Sequence, residues 1–141
     1  MSVHFIYSDD DLTRVAGSLS GAPRIAIDLE FDRNFYRYGF NLCLMQIFDG
    51  RSCYLIDPLS RKLNVEHVFP VIENPDVKKI TFAFGEDMRL LHSLGCFPRN
   101  IYDLNIATSL LNYPPTSLNN LLEEVLDIDT GASSQRSNWF K

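Results

Sequence analysis

Residues 25–31 read IAIDLEF, an apolar strand pattern that ends in two acids, Asp28 and Glu30. Side chains alternate between the two faces of a strand, so Ile25, Ile27 and Leu29 share one face and Ala26, Asp28 and Glu30 the other. The first face belongs in a core. The second carries two carboxylates whose Cα atoms are about 6.5–7 Å apart. Such a pair repels itself, which raises at least one pKa or calls for a countercharge. A divalent cation such as Mg²⁺ answers that need, because it takes oxygen ligands and accepts one or two carboxylates alongside phosphate and water. A solvated strand end is the other reading. With 18 acids in 141 residues, the pair alone does not choose between them.

Outward from this strand, residues 8–23 (SDDDLTRVAGSLSGAP) open a helix at Ser8 or Asp9 and place Leu12, Val15, Ala16 and Leu19 on one face, with Gly21 and Pro23 as its stop. Residues 32–41 lack periodicity and read as a loop rich in Arg and aromatic residues. LCLMQIFD (42–49) and SCYLID (52–57) are strands joined at Asp49-Gly50, a hairpin signal, and Pro58 closes the second. VEHVFPVIEN (65–74) reads as a short helix broken or kinked at Pro70. KKITFAFG (78–85) is a strand and EDMRLLHSLG (86–95) a helix ending at Gly95. IYDLNIATSLLN (101–112) reads as helix up to Pro114-Pro115. SLNNLLEEVLDI (117–128) puts Leu118, Leu121, Leu122, Val125 and Leu126 on one helical face. This order predicts a single α/β domain over 1–141: a mixed sheet flanked by helices, antiparallel around the hairpin, with the 78–85 strand added through a helical crossover.

Hydrophobic residues make up 45% of the chain and charged residues 22%, as in ordinary globular proteins. No apolar run reaches the roughly 20 residues that span a bilayer, and the N-terminus has no signal-peptide pattern, so no membrane partner is expected. The three cysteines, Cys43, Cys53 and Cys96, form no Cys-x-x-Cys pair and read as reduced thiols in a cytoplasmic protein. A net charge of −5 argues against a broad passive nucleic-acid surface, which would be basic. It leaves room for an enzyme whose acidic site is neutralised by metal.

A second acidic position lies at Glu86-Asp87, where the 78–85 strand runs into a helix. Helix-dipole stabilisation, worth about 0.3–1 kcal/mol, explains Glu86 well and Asp87 less well. Asp87 is expected beside IAIDLE, facing the pocket of Asp28 and Glu30. Together, IAIDLEFDRNFYRYGFNLCLMQIFDGRSCYLIDP, KKITFAFGEDMRLL, IYDLNIATSLLN and SSQRSNW resemble ribonuclease D and related 3′–5′ exonucleases of the DEDD superfamily, in order from about residue 5 to the C-terminus. The resemblance implies a ribonuclease-H-like fold and two-metal hydrolysis of terminal phosphodiester bonds in RNA or single-stranded DNA. Two Mg²⁺ or Mn²⁺ ions, roughly 3.5–4 Å apart, would stabilise the attacking and leaving oxygens. By position, Asp28 would bridge both ions, Glu30 would help hold the one that activates water, and Asp87 would support the second. Leu29 and Phe31 would line the nucleotide pocket, Leu29 doubling as a core residue. Asp103 matches a family acid of structural rather than metal-binding character.

The loop after the acids offers Arg33, Arg37, Phe35, Tyr36 and Tyr38, and interleaved cations and aromatics suit a single-stranded 3′ end. The family pattern also has a fourth acid, in a Tyr-x-x-x-Asp helix after the RSNW-like segment, and usually a Lys before that segment. No Tyr-x-x-x-Asp occurs after residue 113, and DTGASSQRSNW lacks that Lys. The chain therefore reads as an exonuclease domain lacking its last helix, with weak metal binding, little or no hydrolysis by these residues alone, and apolar surface that favours homo-oligomers. A non-catalytic nucleic-acid-binding module and a scaffold domain are the alternatives. Asp-Thr-Gly at 129–131 is not read as an aspartic protease site, because it follows an amphipathic helix rather than an apolar strand and has no second half.

Overall fold

The computed structural model describes residues 1–33, 39–61 and 63–131. Phe35, Tyr36, Arg37 and Tyr38, and the SSQRSNW segment, lie outside the described residues. A strand β1 (Ser2–Ile6) precedes helix α1 (Asp9–Leu19). Ser8 caps α1: its hydroxyl accepts the Asp11 backbone N–H at 3.1 Å, and three acids in the first turn suit the helix dipole. Leu12, Ala16 and Leu19 are the buried stripe of that helix.

Strand β2 (Arg24–Arg33) contains the decisive stretch and pairs antiparallel with β3 (Phe40–Phe48), which turns into β4 (Ser52–Ile56). The turn is fixed by Asp49, whose carboxylate accepts the Arg51 and Ser52 backbone N–H groups, both at 2.8 Å. Gly50 supplies the positive φ of +96° that this reversal requires. A short helix α2 (Pro58–Arg61) and a 3₁₀ turn (Val65–Val68) lead into α3 (Phe69–Glu73), so the chain changes helix type just before Pro70, which sits in the first turn of α3. Strand β5 (Lys78–Thr81), helix α4 (Gly85–Ser93), strand β6 (Ile101–Asp103) and helices α5 (Leu104–Leu110) and α6 (Leu118–Leu126) follow.

The strands form one six-stranded sheet in the order β1-β4-β3-β2-β5-β6. β1 is parallel to β4, and β2, β5 and β6 are mutually parallel, so β3 alone runs against the rest. This is the expected mixed α/β sheet, with the antiparallel hairpin and the crossover to β5 in place.

Two local expectations are corrected, those for 101–103 and 78–85, and two features lie outside the sequence reading, β1 and the exposure of α6. β1 is a strand at the sheet edge, recruited by β4 although four of its five residues are exposed. Residues 101–103, read as the start of a helix, instead pair with β5, and the helix begins only at Leu104. The 78–85 strand stops at Thr81, because the chain turns at Ala83 with φ +54°. The apolar face of α6 buries none of its residues among those described.

One face of the sheet is closed. Ile25, Ile27 and Leu29 join Met45, Ile47 and Ile56 in a core completed by Leu12 and Leu19 of α1, Val71 and Ile72 of α3, and Leu90 and Leu91 of α4. Truncating any one of the Leu, Ile or Met residues among these to Ala costs about 2–5 kcal/mol through lost burial and the cavity left behind. Lys79 also lies fully buried, its ammonium group donating to the carbonyls of Asn74 and Val77. Burial pulls its pKa down to about 8. The opposite face is only half covered, and register carries Ala26 opposite Phe48 and Asp28 opposite Gln46 across it.

Candidate active site

The half-covered face forms one wall of a cleft of about 990 Å³ that Asp28, Glu30 and Asp87 all border, together with Phe31, Gln46, Phe48, Phe82, Leu104 and the Ser117–Asn119 start of α6. The two β2 acids share a face by strand alternation, as their spacing predicts. Immediately after Glu30 the pairing shifts register: Glu30 lies opposite Leu44 but Phe31 opposite Leu42, so Cys43 is the extra residue of a bulge. Alternation breaks there. Asp32 is buried although strand phase groups it with the acids, and Leu42 and Cys43 are buried in succession. A bulge bends its strand and increases the local twist, re-aiming side chains beside it.

Asp87 arrives from α4. It shares a helix face with Leu90 and Leu91, three and four residues on, both fully buried, and is itself only 9% exposed. Its neighbour Glu86 points outward. The start of α4 has no side-chain cap of its own, since its N-cap is Phe84. The cap comes from β6: the Asp103 carboxylate accepts the backbone N–H groups of Ala83 and Phe84, each at 2.9 Å. The same carboxylate accepts the Asn105 N–H at 2.9 Å and caps α5. Asp103 thereby fixes the left-handed turn at Ala83 that aims α4, and with it Asp87, at β2.

The three acids feel one another. Burial pushes the Glu30 carboxyl up to about 7, and the charges of Asp28 and Asp87 push in the same direction. Asp87 is pushed up to about 6, first by burial and then by Asp28 and Asp103, against the pull of its own backbone N–H and that of Leu29. Burial raises Asp28 as well, opposed by the Leu29 N–H. Three carboxylates thus crowd one field, the charge of Asp28 raising both Glu30 and Asp87. Among the described residues, no three acidic, His or Cys side chains stand at the spacing of a closed metal site. The donor set is nonetheless all oxygen and anionic, which suits Mg²⁺ or Mn²⁺, and Glu30 and Asp87 hold pKa values that a cation would lower.

The remaining sequence-derived residues divide. Phe31 borders the cleft and meets Phe40 edge-on, with ring centroids 5.0 Å apart. Leu29 borders it too, while its side chain, 4% exposed, belongs to the core. Arg33 ends β2, pairs with Glu86 at 2.9 Å and lies over the Phe40 ring at 5.5 Å. Arg37 and Tyr38 lie outside the described residues.

Three contributors escape a reading of the sequence. Gln46 needs the bulged register to be placed opposite Asp28. Ala83 carries no residue-type signal for a positive φ. Arg89 was readable only from its three-residue spacing from Glu86, with which it forms an ion pair.

Residues 3–141 match the model of a family described as 3′–5′ exonuclease. The chain is 32% identical over 143 residues to ribonuclease D of Zymomonas mobilis, across 99% of this chain and 36% of that protein. Its fold superposes on the crystal structure of Escherichia coli RNase D, an exoribonuclease involved in structured RNA processing, with a TM-score of 0.88, 28% identity, all of this chain and 38% of that one covered. The catalytic core of RRP6 from Trypanosoma brucei gives the same TM-score and identity over 97% of this chain and 38% of its own. The chain thus spans well under half the length of these relatives.

Proposed function

We infer the function from one premise, that this chain belongs to the family of ribonuclease D-like 3′–5′ exonucleases, and propose that its cleft takes the 3′ end of RNA, or of single-stranded DNA, for hydrolysis of the terminal phosphodiester bond. The observation that carries the proposal is the convergence of Asp28, Glu30 and Asp87, from two different elements, on one cleft where their pKa values are pushed upward together. Spending stability on crowded acids makes sense where a cation is to be bound.

In this proposal Asp28, Glu30 and Asp87 would hold the Mg²⁺ or Mn²⁺ ions. Bound divalent ions supply Lewis acidity at the phosphoryl oxygens and a nucleophilic water at neutral pH. The chain's own residues do the rest. Phe31, braced by Phe40, gives an apolar wall for the terminal sugar and base, while Leu29 fixes the backbone between the two β2 acids. Arg33 offers a guanidinium to the strand behind the terminal nucleotide, with Arg37 and Tyr38 proposed to join it. Asp103 positions Asp87 without touching substrate. With three acids in the cluster, turnover by these 141 residues is expected to be slow. The exposed apolar side chains of α5 and α6 support self-association, and the three free thiols are in keeping with a cytoplasmic setting.

The test is a 5′-labelled single-stranded RNA incubated with the chain and Mn²⁺. The proposal expects slow shortening, one nucleotide at a time from the 3′ end, abolished in Asp28→Ala. Intact RNA together with Asp28-dependent binding of Mn²⁺ and a nucleoside monophosphate would assign the chain to the binding-module alternative. Intact RNA with no Asp28 effect on either ligand would overturn the proposal in favour of a scaffold.

A further inference from the structure

In the first turn of α4 a single carboxylate is shared by two arginines. Glu86 Oε2 accepts from Arg33 at 2.9 Å, and Glu86 Oε1 accepts from Arg89. Arg33 comes from the end of β2 and Arg89 from the second turn of α4, so the two guanidiniums are brought together by tertiary structure. Both are open to solvent, with side chains 60% and 70% exposed. Glu86 directly precedes Asp87, and Arg33 follows Glu30 by three residues, about 10 Å along a strand. The triad therefore borders the acid cluster on the side where β2 ends and α4 begins. Arg33 is further oriented by Phe40, whose ring lies 5.5 Å from its guanidinium carbon.

Exposed ion pairs of this kind contribute little to folding. What they do hold is geometry: two planar donor forks held around one small anion. A phosphate diester presents two such oxygens and suits the same forks. We propose that Arg33 and Arg89 form a binding site for a backbone phosphate of single-stranded nucleic acid upstream of its 3′ end, and that Glu86 occupies this site in the free protein and is displaced when the strand enters. The carboxylate keeps the two guanidiniums in place and screens them. In an acidic protein it also lets the site discriminate: an isolated small anion must compete with Glu86 alone, whereas a strand anchored at the acid cluster delivers its phosphate at high effective concentration. This inference rests on the nuclease reading for the placement of the 3′ end.

The experiment is a salt titration of octauridylate binding by fluorescence anisotropy, with a phosphorothioate at the 3′-terminal linkage to slow turnover. Glu86→Gln is expected to tighten binding several-fold at low salt. Arg89→Ala and Arg33→Ala are each expected to weaken it and to reduce the slope of log affinity against log salt, the two together by about 0.7, the value for one phosphate contact to a single strand. In the Glu86→Gln, Arg89→Ala double variant the gain from Glu86→Gln should shrink or vanish. Unchanged affinity in Glu86→Gln, an unchanged slope in Arg89→Ala, or no octauridylate binding at any salt overturns the proposal. Mn²⁺ binding by the natural chain and by Asp28→Ala separates the two readings. Arginine effects as described, with Mn²⁺ binding indifferent to Asp28→Ala, would leave the phosphate site standing and remove the nuclease reading. The reverse pattern would do the opposite.

Discussion

The Asp103 carboxylate accepts the backbone N–H of Ala83 at 2.9 Å, across the twenty residues that separate β6 from the turn between β5 and α4. That bond, with its companions to Phe84 and Asn105, lets one side chain begin two helices and hold a non-glycine residue at positive φ. A residue with no direct part in the cleft thus decides where Asp87 stands.

Asp103→Ala should therefore cost about 2–3 kcal/mol, more than one ordinary hydrogen bond, because three backbone donors lose a charged acceptor. Asp103→Asn should fall between Ala and the natural residue, since its amide keeps one acceptor oxygen. Urea unfolding gives the stability. Mn²⁺ affinity measured alongside should drop in both variants, because Asp87 loses its fixed approach. Full stability in Asp103→Ala would mean that the turn holds itself.

The raised carboxyls make the metal-free protein pH-sensitive in a definite direction. Glu30 and Asp87 titrate near 7 and 6 in the folded chain, above their usual values of 4.5 and 3.8. Between those limits the folded state holds more protons than the unfolded state, so stability falls as pH rises. In EDTA, Tm should decline from pH 5 to pH 8, apart from any contribution of groups elsewhere. Asp28→Asn removes one charge from the cluster, should flatten that decline, and should raise Tm at pH 8 by a few degrees. Saturating Mn²⁺ should oppose the decline in the natural chain and leave the variant unmoved. A Tm that climbs over this interval in EDTA, unaltered by Asp28→Asn, would count against a mutually repelling cluster.

Leu110 and Leu111, 78% and 71% exposed, mark the apolar side of the α5 end, and Ile106 of α5 and Val125 and Leu126 of α6 are exposed as well. Patches of this kind drive association. Sedimentation velocity should show a weight-average coefficient that grows with protein concentration, and the Leu110→Ser, Leu111→Ser double variant should suppress the growth with little effect on Tm. A concentration-independent monomer would refute self-association through this face.

Much of this arrangement was legible beforehand because its signals are local. The alternation of residues 25–30, the Asp49-Gly50 turn, the Ser8 cap and the break at Pro70 each act within a few residues. β1 and the three-residue β6 were not legible, since neither has a pattern of its own. Each is a strand only because a neighbouring edge supplies hydrogen bonds. The site divided in the same way. Asp28 and Glu30 follow from strand period, and Asp87 from its place after an apolar strand. The Arg33–Glu86–Arg89 triad and the opposition of Gln46 to Asp28 depend on long-range register and a bulge at Cys43 that no spacing in the chain announces. Lys79 runs against its residue type, and its burial is explained only by the two carbonyls that receive it.

The central claim is that Asp28, Glu30 and Asp87 together hold a divalent cation. Isothermal titration of Mn²⁺ into the natural chain and into Asp28→Ala tests it most directly. The account expects saturable binding to the natural chain that is lost in Asp28→Ala while the fold, followed by circular dichroism, is retained. Equal heats from the two folded proteins, or none from either, would contradict it.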